Sequence, residues 1–302
     1  MARKELNVGE LTWVLMVKPE GDDIRYLQSI AEFHPLVIES TETPTRYPLI
    51  ESYKNYLFLI MHFPITAKTN DIAEVDFLIT ENAIVTILFR DFKNLNDIFD
   101  EVRKNQDIQK EVAEKHTGAL LYYIIDQLFH RLTGDLDITE EKITKIEDRI
   151  FRRGNAKLVE EISKIKRDVL DFRRILIPQE AVLKLLPDKA EKFYGKHMKP
   201  YFMDIIVTES KIRNFLENQK ETIEALHQTN EALLSNRISN IITILTIFSA
   251  IVLPINLIAS IWGMNQRVMP LRDGQFDFWI VISVMVGIVL LLLSLFRKNR
   301  WL

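Results

Sequence analysis

Two long uncharged stretches near the end of the chain restrict its fold more than anything else in the sequence. No Asp, Glu, Lys or Arg stands between Arg237 and Arg267. Within that window, Ile241 to Trp262 meets the requirement of about 20 apolar residues for crossing a hydrocarbon core. Phe278 to Phe296 does so again, also without a charge. Buried helices of soluble proteins rarely run this long uncharged and lie together at one chain end. The sequence therefore predicts a two-span membrane protein, with spans at 241–262 and 278–296.

Two spans place both chain ends on one side. The N-terminal MARKELNVGEL has no apolar signal core. The tail Arg297, Lys298, Arg300 and Trp301 reads as a positive anchor with an interfacial aromatic. Both ends are expected in the cytoplasm, in a cell (inner or plasma) membrane, with a short loop outside. That loop sets Arg267 and Arg272 against Asp273 and Asp277, so the charge asymmetry is mild.

Composition removes several functional classes. Among 302 residues there is no Cys, which excludes disulfides, Cys-ligated zinc or iron–sulfur sites and thiol catalysis. With 39 Lys and Arg against 42 Asp and Glu, the chain lacks the basic excess of a nucleic-acid binder. Neither a Gly-x4-Gly-Lys-Ser/Thr loop nor a Gly-x-Gly-x-x-Gly fingerprint occurs. No nucleophile–base constellation stands out, so no enzyme and no cofactor are expected. The six His (34, 62, 116, 130, 197, 227) show no metal-ligand spacing and read as structural or solvated. Glu140-Glu141 and Glu160-Glu161 have Lys and Arg nearby and read as solvated helix faces.

Residues 1–116 read as an α/β domain with a mixed sheet. Leu11–Val17, Tyr56–Phe63, Val75–Thr80 and Ala83–Phe89 are short runs rich in β-branched and aromatic residues. Breakers punctuate Ser40–Pro48. Residues 117–236 read as a helical and stalk region. Leu120–Arg153 has apolar residues three and four apart and ends at Arg153-Gly154-Asn155. A second helix is expected over Ala156–Leu186, ending before Pro187, with another break between Gly195 and Pro200. Tyr201 to Trp262 then contains one breaker, Pro254. The expectation is one continuous helix of about 90 Å at about 1.5 Å per residue, leading into a membrane domain at 237–302.

The first span has a polar seam. Alternate steps of three and four from Ser239 meet Ile242, Thr246, Ser249, Leu253, Asn256 and Ser260, five polar residues of seven. Thr243 lies one step off it, and the second span carries only Ser283 and Ser294 as hydroxyl residues. Ser and Thr in a span can bond back to their own helix, but Asn256 is less easily explained that way, which favours a pore lining. The seam holds no ionisable group. Stripping water from Mg²⁺ would take carboxylates, since this ion dehydrates reluctantly, so a neutral seam suits a cation that keeps its water. Ile242, Leu245 and Leu253 could form apolar rings that gate by dewetting. Pro254 leaves a carbonyl four residues earlier in need of another partner.

Directly after the first span come Trp262-Gly263-Met264-Asn265 and then Met269-Pro270. These resemble the Gly-Met-Asn signature and Met-Pro loop of the CorA-type magnesium transporter family. The likeness extends over Ser235-Asn236, Leu245-Thr246, Pro254, Ile258-Ala259, Pro200-Tyr201-Phe202-Met203-Asp204, His34-Pro35-Leu36 and the tail Trp301-Leu302. The resemblance implies a funnel-shaped homopentamer whose first spans line one axial pore for a hydrated divalent cation. Gly263, Met264 and Asn265 would form the outer selectivity filter, with Asn265 holding the hydrated ion. The family's pore positions map onto Asn256, Leu253, Ser249, Leu245, Ile242 and Ser239, with Thr246 on the same seam.

Three departures from the family pattern stand out. The family's internal Mg²⁺ sensor pairs carboxylates between subunits; Asp204 matches one, but its partner position is Ser40, with Glu39 beside it. The loop after Asn265 carries Arg267 and Arg272 where acids are common. Ser239 and Ile242 replace the usual Asn and bulky Met near the cytosolic end. The leading reading is a passive channel importing Mg²⁺, with Co²⁺ and Ni²⁺ as further cargo. A zinc-transporting or other altered-selectivity branch is an alternative, with Met264 against it. A membrane-anchored interaction or signalling protein is the alternative of another class.

Overall fold

The computed structural model describes residues 3–65, 72–113, 116–152, 156–264 and 276–299. The chain divides into two compact units, Met1–Gln228 and Thr229–Leu302.

The first unit is built on a six-stranded sheet of β1 (Lys4–Val8), β2 (Leu11–Val17), β3 (Leu49–Ser52), β4 (Leu57–Pro64), β5 (Ile72–Ile79) and β6 (Ala83–Leu88), in spatial order β1-β2-β6-β5-β4-β3. Only β2 and β6 run parallel, with Thr12 opposite Ala83 and Val17 opposite Leu88; the other neighbours are antiparallel. The four strands expected from apolar runs are present. β1 and β3 carry no such run because they are the sheet's edges, where residues such as Glu5, Asn7 and Ser52 meet solvent.

Side-chain alternation gives the sheet two apolar faces. Val14, Met16, Phe58, Ile60, Leu78, Val85 and Ile87 pack with Leu27 of α1 (Gly21–Ile30) and with Val37 and Ile38 of α2 (Pro35–Ser40). Trp13, Leu15, Leu59, Met61, Phe63, Val75 and Phe77 take the opposite face. There they meet α3 (Lys93–Lys104) through Leu95, Ile98 and Phe99, and α5 (Thr117–Arg152) through Ile124, Leu128 and Phe129. A short α4 (Gln106–Ala113) precedes α5.

The helical region differs from the sequence expectation in one respect. The segment 156–186 is not one helix. α6 (Ala156–Leu176) ends at Ile177-Pro178, and α7 (Gln179–Tyr194) runs through Pro187. A residue before proline is disfavoured in helical conformation, which breaks the chain at Ile177. Pro187 forfeits one helix hydrogen bond, yet it is buried with Leu183, Leu186 and Ala190, and that packing offsets the loss. Gly195, at φ 99°, ends α7 in a conformation that favours glycine.

After a 3₁₀ turn at Lys196–Met198, α8 runs unbroken from Lys199 to Gly263 with Pro200 in its first turn and Pro254 inside it. The boundary between the two units falls within this helix. The second unit continues with α9 (Asp277–Lys298). Both apolar segments are helical and almost wholly uncovered by the rest of the chain, which removes the reading of them as soluble core helices. The α/β domain, the long helix and two C-terminal apolar helices match the architecture expected from the sequence.

Candidate functional site

On a helix turning about 100° per residue, Ser239, Ile242, Thr246, Ser249, Leu253, Asn256 and Ser260 fall within a sector about 100° wide, with Leu245 at its margin. Ile247 is buried, alone among the described residues of this span, and lies on the other side of the helix. Leu253 is 67% exposed and Ile242 58%. The seam is thus left open by its own chain, as is most of the span, where off-seam residues such as Ile244 and Phe248 are equally exposed.

Three hydroxyl groups of the spans bond back to their own helix. Thr246 donates to the Ile242 carbonyl at 2.8 Å, and Thr243 to the Ser239 carbonyl at 2.9 Å. With its proton engaged inside the helix, Thr246 offers outward only oxygen lone pairs. On α9, Ser283 likewise donates to Trp279 at 2.8 Å. Pro254 removes the N–H that the Ala250 carbonyl would accept. Gly263 closes α8, and the Met264 N–H reaches the Ile261 carbonyl at 3.2 Å. Asn265 lies outside the described residues, as do Arg267, Met269, Pro270, Arg272, Asp273, Trp301 and Leu302.

In the first unit, Asp204 on α8 accepts a hydrogen bond from the Tyr122 hydroxyl of α5 at 3.0 Å. Burial and this bond push the Tyr122 hydroxyl's pKa up. One turn further along α5, Asp126 is held above the usual carboxylate range by burial and then by the Asp204 charge. The sequence reading missed Asp126. A carboxylate with Tyr four residues earlier on one helix face was the available signal, but α5 and α8 meet only in the folded chain. Ser40 ends α2 and donates to the Leu36 carbonyl at 2.9 Å. Glu39 precedes it, and Glu42 lines a cavity of the α/β domain. Among the described residues, no group of three His, Asp or Glu side chains is placed to hold a metal ion.

The sequence profile of the CorA-like Mg²⁺ transporter protein family matches residues 8–298. The chain belongs to this family. It is a membrane protein and a divalent cation transporter of the CorA type, and the family's members are transporters rather than enzymes. The cobalt/magnesium transport protein CorA of Thermotoga maritima is 26% identical over 298 residues, covering 96% of this chain and 83% of that protein. The putative metal ion transporter YfjQ of Bacillus subtilis is 27% identical over 289 residues, covering 96% and 89%. The complete structure of the CorA magnesium transporter from Methanocaldococcus jannaschii superposes with a TM-score of 0.83 at 20% identity, covering 97% of this CorA-like chain and 92% of that one. That likeness is one of fold.

Proposed function

We propose that this CorA-like chain imports Mg²⁺, and with it Co²⁺ and Ni²⁺, as hydrated ions through an axial pore formed by five copies of the chain. The first span of each copy, 241–262 within a pore domain at 237–302, would line the pore, and 278–296 would face lipid. The α/β domain (1–116), the stalk region (117–236) and both termini would lie in the cytoplasm. The supporting observation is the neutral polar sector of α8 that its own chain leaves uncovered. A hydrated cation presents water protons outward, so its walls must accept hydrogen bonds. Thr246 does so with its own proton engaged in the helix, and Asn256 and Ser249 add acceptors without any charge that would strip the ion's shell. Ile242, Leu245 and Leu253 would supply the apolar constrictions.

Gly263, Met264 and Asn265 are assigned to the outer mouth, where five Asn265 amides would hold the ion through its water. The driving force is the inside-negative potential, about 2.3 kcal/mol per charge per 100 mV and about twice that for a divalent ion. The deciding experiment is Mg²⁺ uptake by Asn265→Ala. Uptake should be abolished with the assembly intact, and unchanged uptake would refute the filter assignment.

A further inference from the structure

The sheet of the α/β domain contains a crevice that ion conduction does not use. β2 and β6 are its one parallel pair, ending side by side at Val17 and Leu88. The chain leaves them in opposite directions. After β2 it passes to α1, whose Leu27 packs with Val14 and Met16 on one face. After β6 it passes to α3, whose Leu95, Ile98 and Phe99 pack with Trp13 and Leu15 on the other. Two neighbouring parallel strands whose connections diverge to opposite faces form a topological switch point. In open α/β sheets, ligands bind outside the carboxyl ends of the strands at such a point.

A cavity of about 920 Å³ lies there, lined by the residues that follow both strands, Lys18 and Glu20 after β2, Phe89 and Arg90 after β6. That volume lies within the range of small-molecule sites, about 300–1,000 Å³. Lys18 has φ 52°, in the left-handed region, and its N–H donates to the Leu88 carbonyl at 2.7 Å, which joins the two strand ends. Arg46 and Tyr47 of the loop before β3, and Arg174 from the end of α6, complete a wall with four cationic side chains, of which Arg174 is paired with Asp171 at 3.3 Å.

Three acids also line the cavity, and two of them have other roles. Glu20 is the N-cap of α1. Glu74 accepts the Thr45 N–H at 2.9 Å and stands 3.4 Å from His62 Nε2. Glu42 is on the exposed loop. Lys18, Arg46, Arg90 and Arg174 against Glu20, Glu42 and Glu74 leave the lining with a small cationic excess, and Tyr47, 75% exposed, with Phe89 and the neighbouring prolines Pro19, Pro44 and Pro48 offers apolar surface beside it.

We propose that this crevice binds a phosphate-bearing small molecule of nucleotide size, its phosphates toward Lys18 and Arg90 and its ring against Tyr47. The test is equilibrium binding of ATP to the full-length protein in lipid nanodiscs, with EDTA present so that divalent-ion sites stay empty, alongside inorganic pyrophosphate and adenosine. ATP should bind saturably at one site per chain, more tightly than either fragment. Binding should weaken about tenfold in Lys18→Ala or Arg90→Ala, as expected for losing one charge-assisted contact. Should either variant fold poorly, Arg46→Ala on the exposed loop should give a loss in the same direction with the unfolding midpoint unchanged. No saturable ATP binding, or binding indifferent to all three substitutions, would overturn the site. Equal affinity for pyrophosphate and ATP would overturn the assignment of the aromatic wall. Ion flux enters none of these readouts, so the pore assignment stands or falls separately.

Discussion

Asp76 lies on β5 between Ile60 and Ile87 of the neighbouring strands, fully buried, and neither carboxyl oxygen has a hydrogen-bond donor among the described residues. Burial and the nearby Glu74 both push its pKa well above the usual carboxylate range. Both causes favour the acid form, whose O–H can donate to Glu74. A raised folded-state pKa has a definite linkage sign. Its stabilisation is complete below the unfolded value of about 3.9 and is lost as pH rises through the folded value. Asp76→Asn keeps the shape and makes the donor permanent. It is expected to leave stability unchanged or higher at about pH 8 and to flatten the alkaline limb, measured by denaturant unfolding between about pH 5 and pH 9. A variant losing several kcal/mol at every pH would mean that Asp76 is held as the anion.

At the scale of elements, β3 pairs only with the first half of β4, which leaves the main chain of His62 at an open edge. The Gln179 side chain fills that place. It accepts the His62 N–H at 3.0 Å and donates to its carbonyl at 2.7 Å, so the start of α7 is pinned to the sheet. Gln179→Leu should cost about 2 kcal/mol, the sum of two lost bonds and their buried partners, read as a fall in unfolding midpoint. A second junction joins His116 before α5 to His197 in the 3₁₀ turn, with their Nε2 atoms 2.8 Å apart. The Gly118 N–H donates to His116 Nδ1 at 3.2 Å, which leaves the His116 proton on Nε2, facing His197. Burial and then His197 lower the His116 pKa. A lowered value means the junction's contribution is present above the unfolded value of about 6.5 and is lost as pH falls through the folded one. His116→Ala should therefore be less stable than the parent at about pH 8 and should lose part of the acid limb between about pH 7 and pH 5, measured by thermal unfolding.

These elements also mark where the sequence was legible. The central strands announced themselves as apolar runs, and the two spans as runs without charge. The polar seam of α8 followed from helical period alone because no partner within the chain is needed to define it. The break at Pro178 in place of Pro187 was not legible, since burial around Pro187 depends on tertiary packing. Nor was the Tyr122–Asp204 contact, which joins residues 82 positions apart.

At the scale of the whole molecule, the uncovered seam must meet something, and its chemistry restricts what. Asn256 facing lipid would leave an amide unsatisfied in hydrocarbon, a cost of several kcal/mol. Asn256 facing a water-filled axis between copies of the chain carries no such cost and adds an acceptor to the ion's path. The two placements make opposite forecasts for Asn256→Leu. On the lipid side, this change would stabilise the span and leave transport alone. In the proposed pore, it is expected to lower Mg²⁺ flux by about tenfold or more by placing a ring of leucines where water must pass, with the assembly retained. Thr243 supplies the control, since it lies off the seam and its hydroxyl is bonded to the Ser239 carbonyl. Thr243→Val should leave flux within about twofold of the parent. Flux into proteoliposomes at fixed voltage, with assembly size measured on the same preparations, separates the outcomes. Equal flux in the parent and Asn256→Leu would place the seam against lipid and remove α8 as the pore lining.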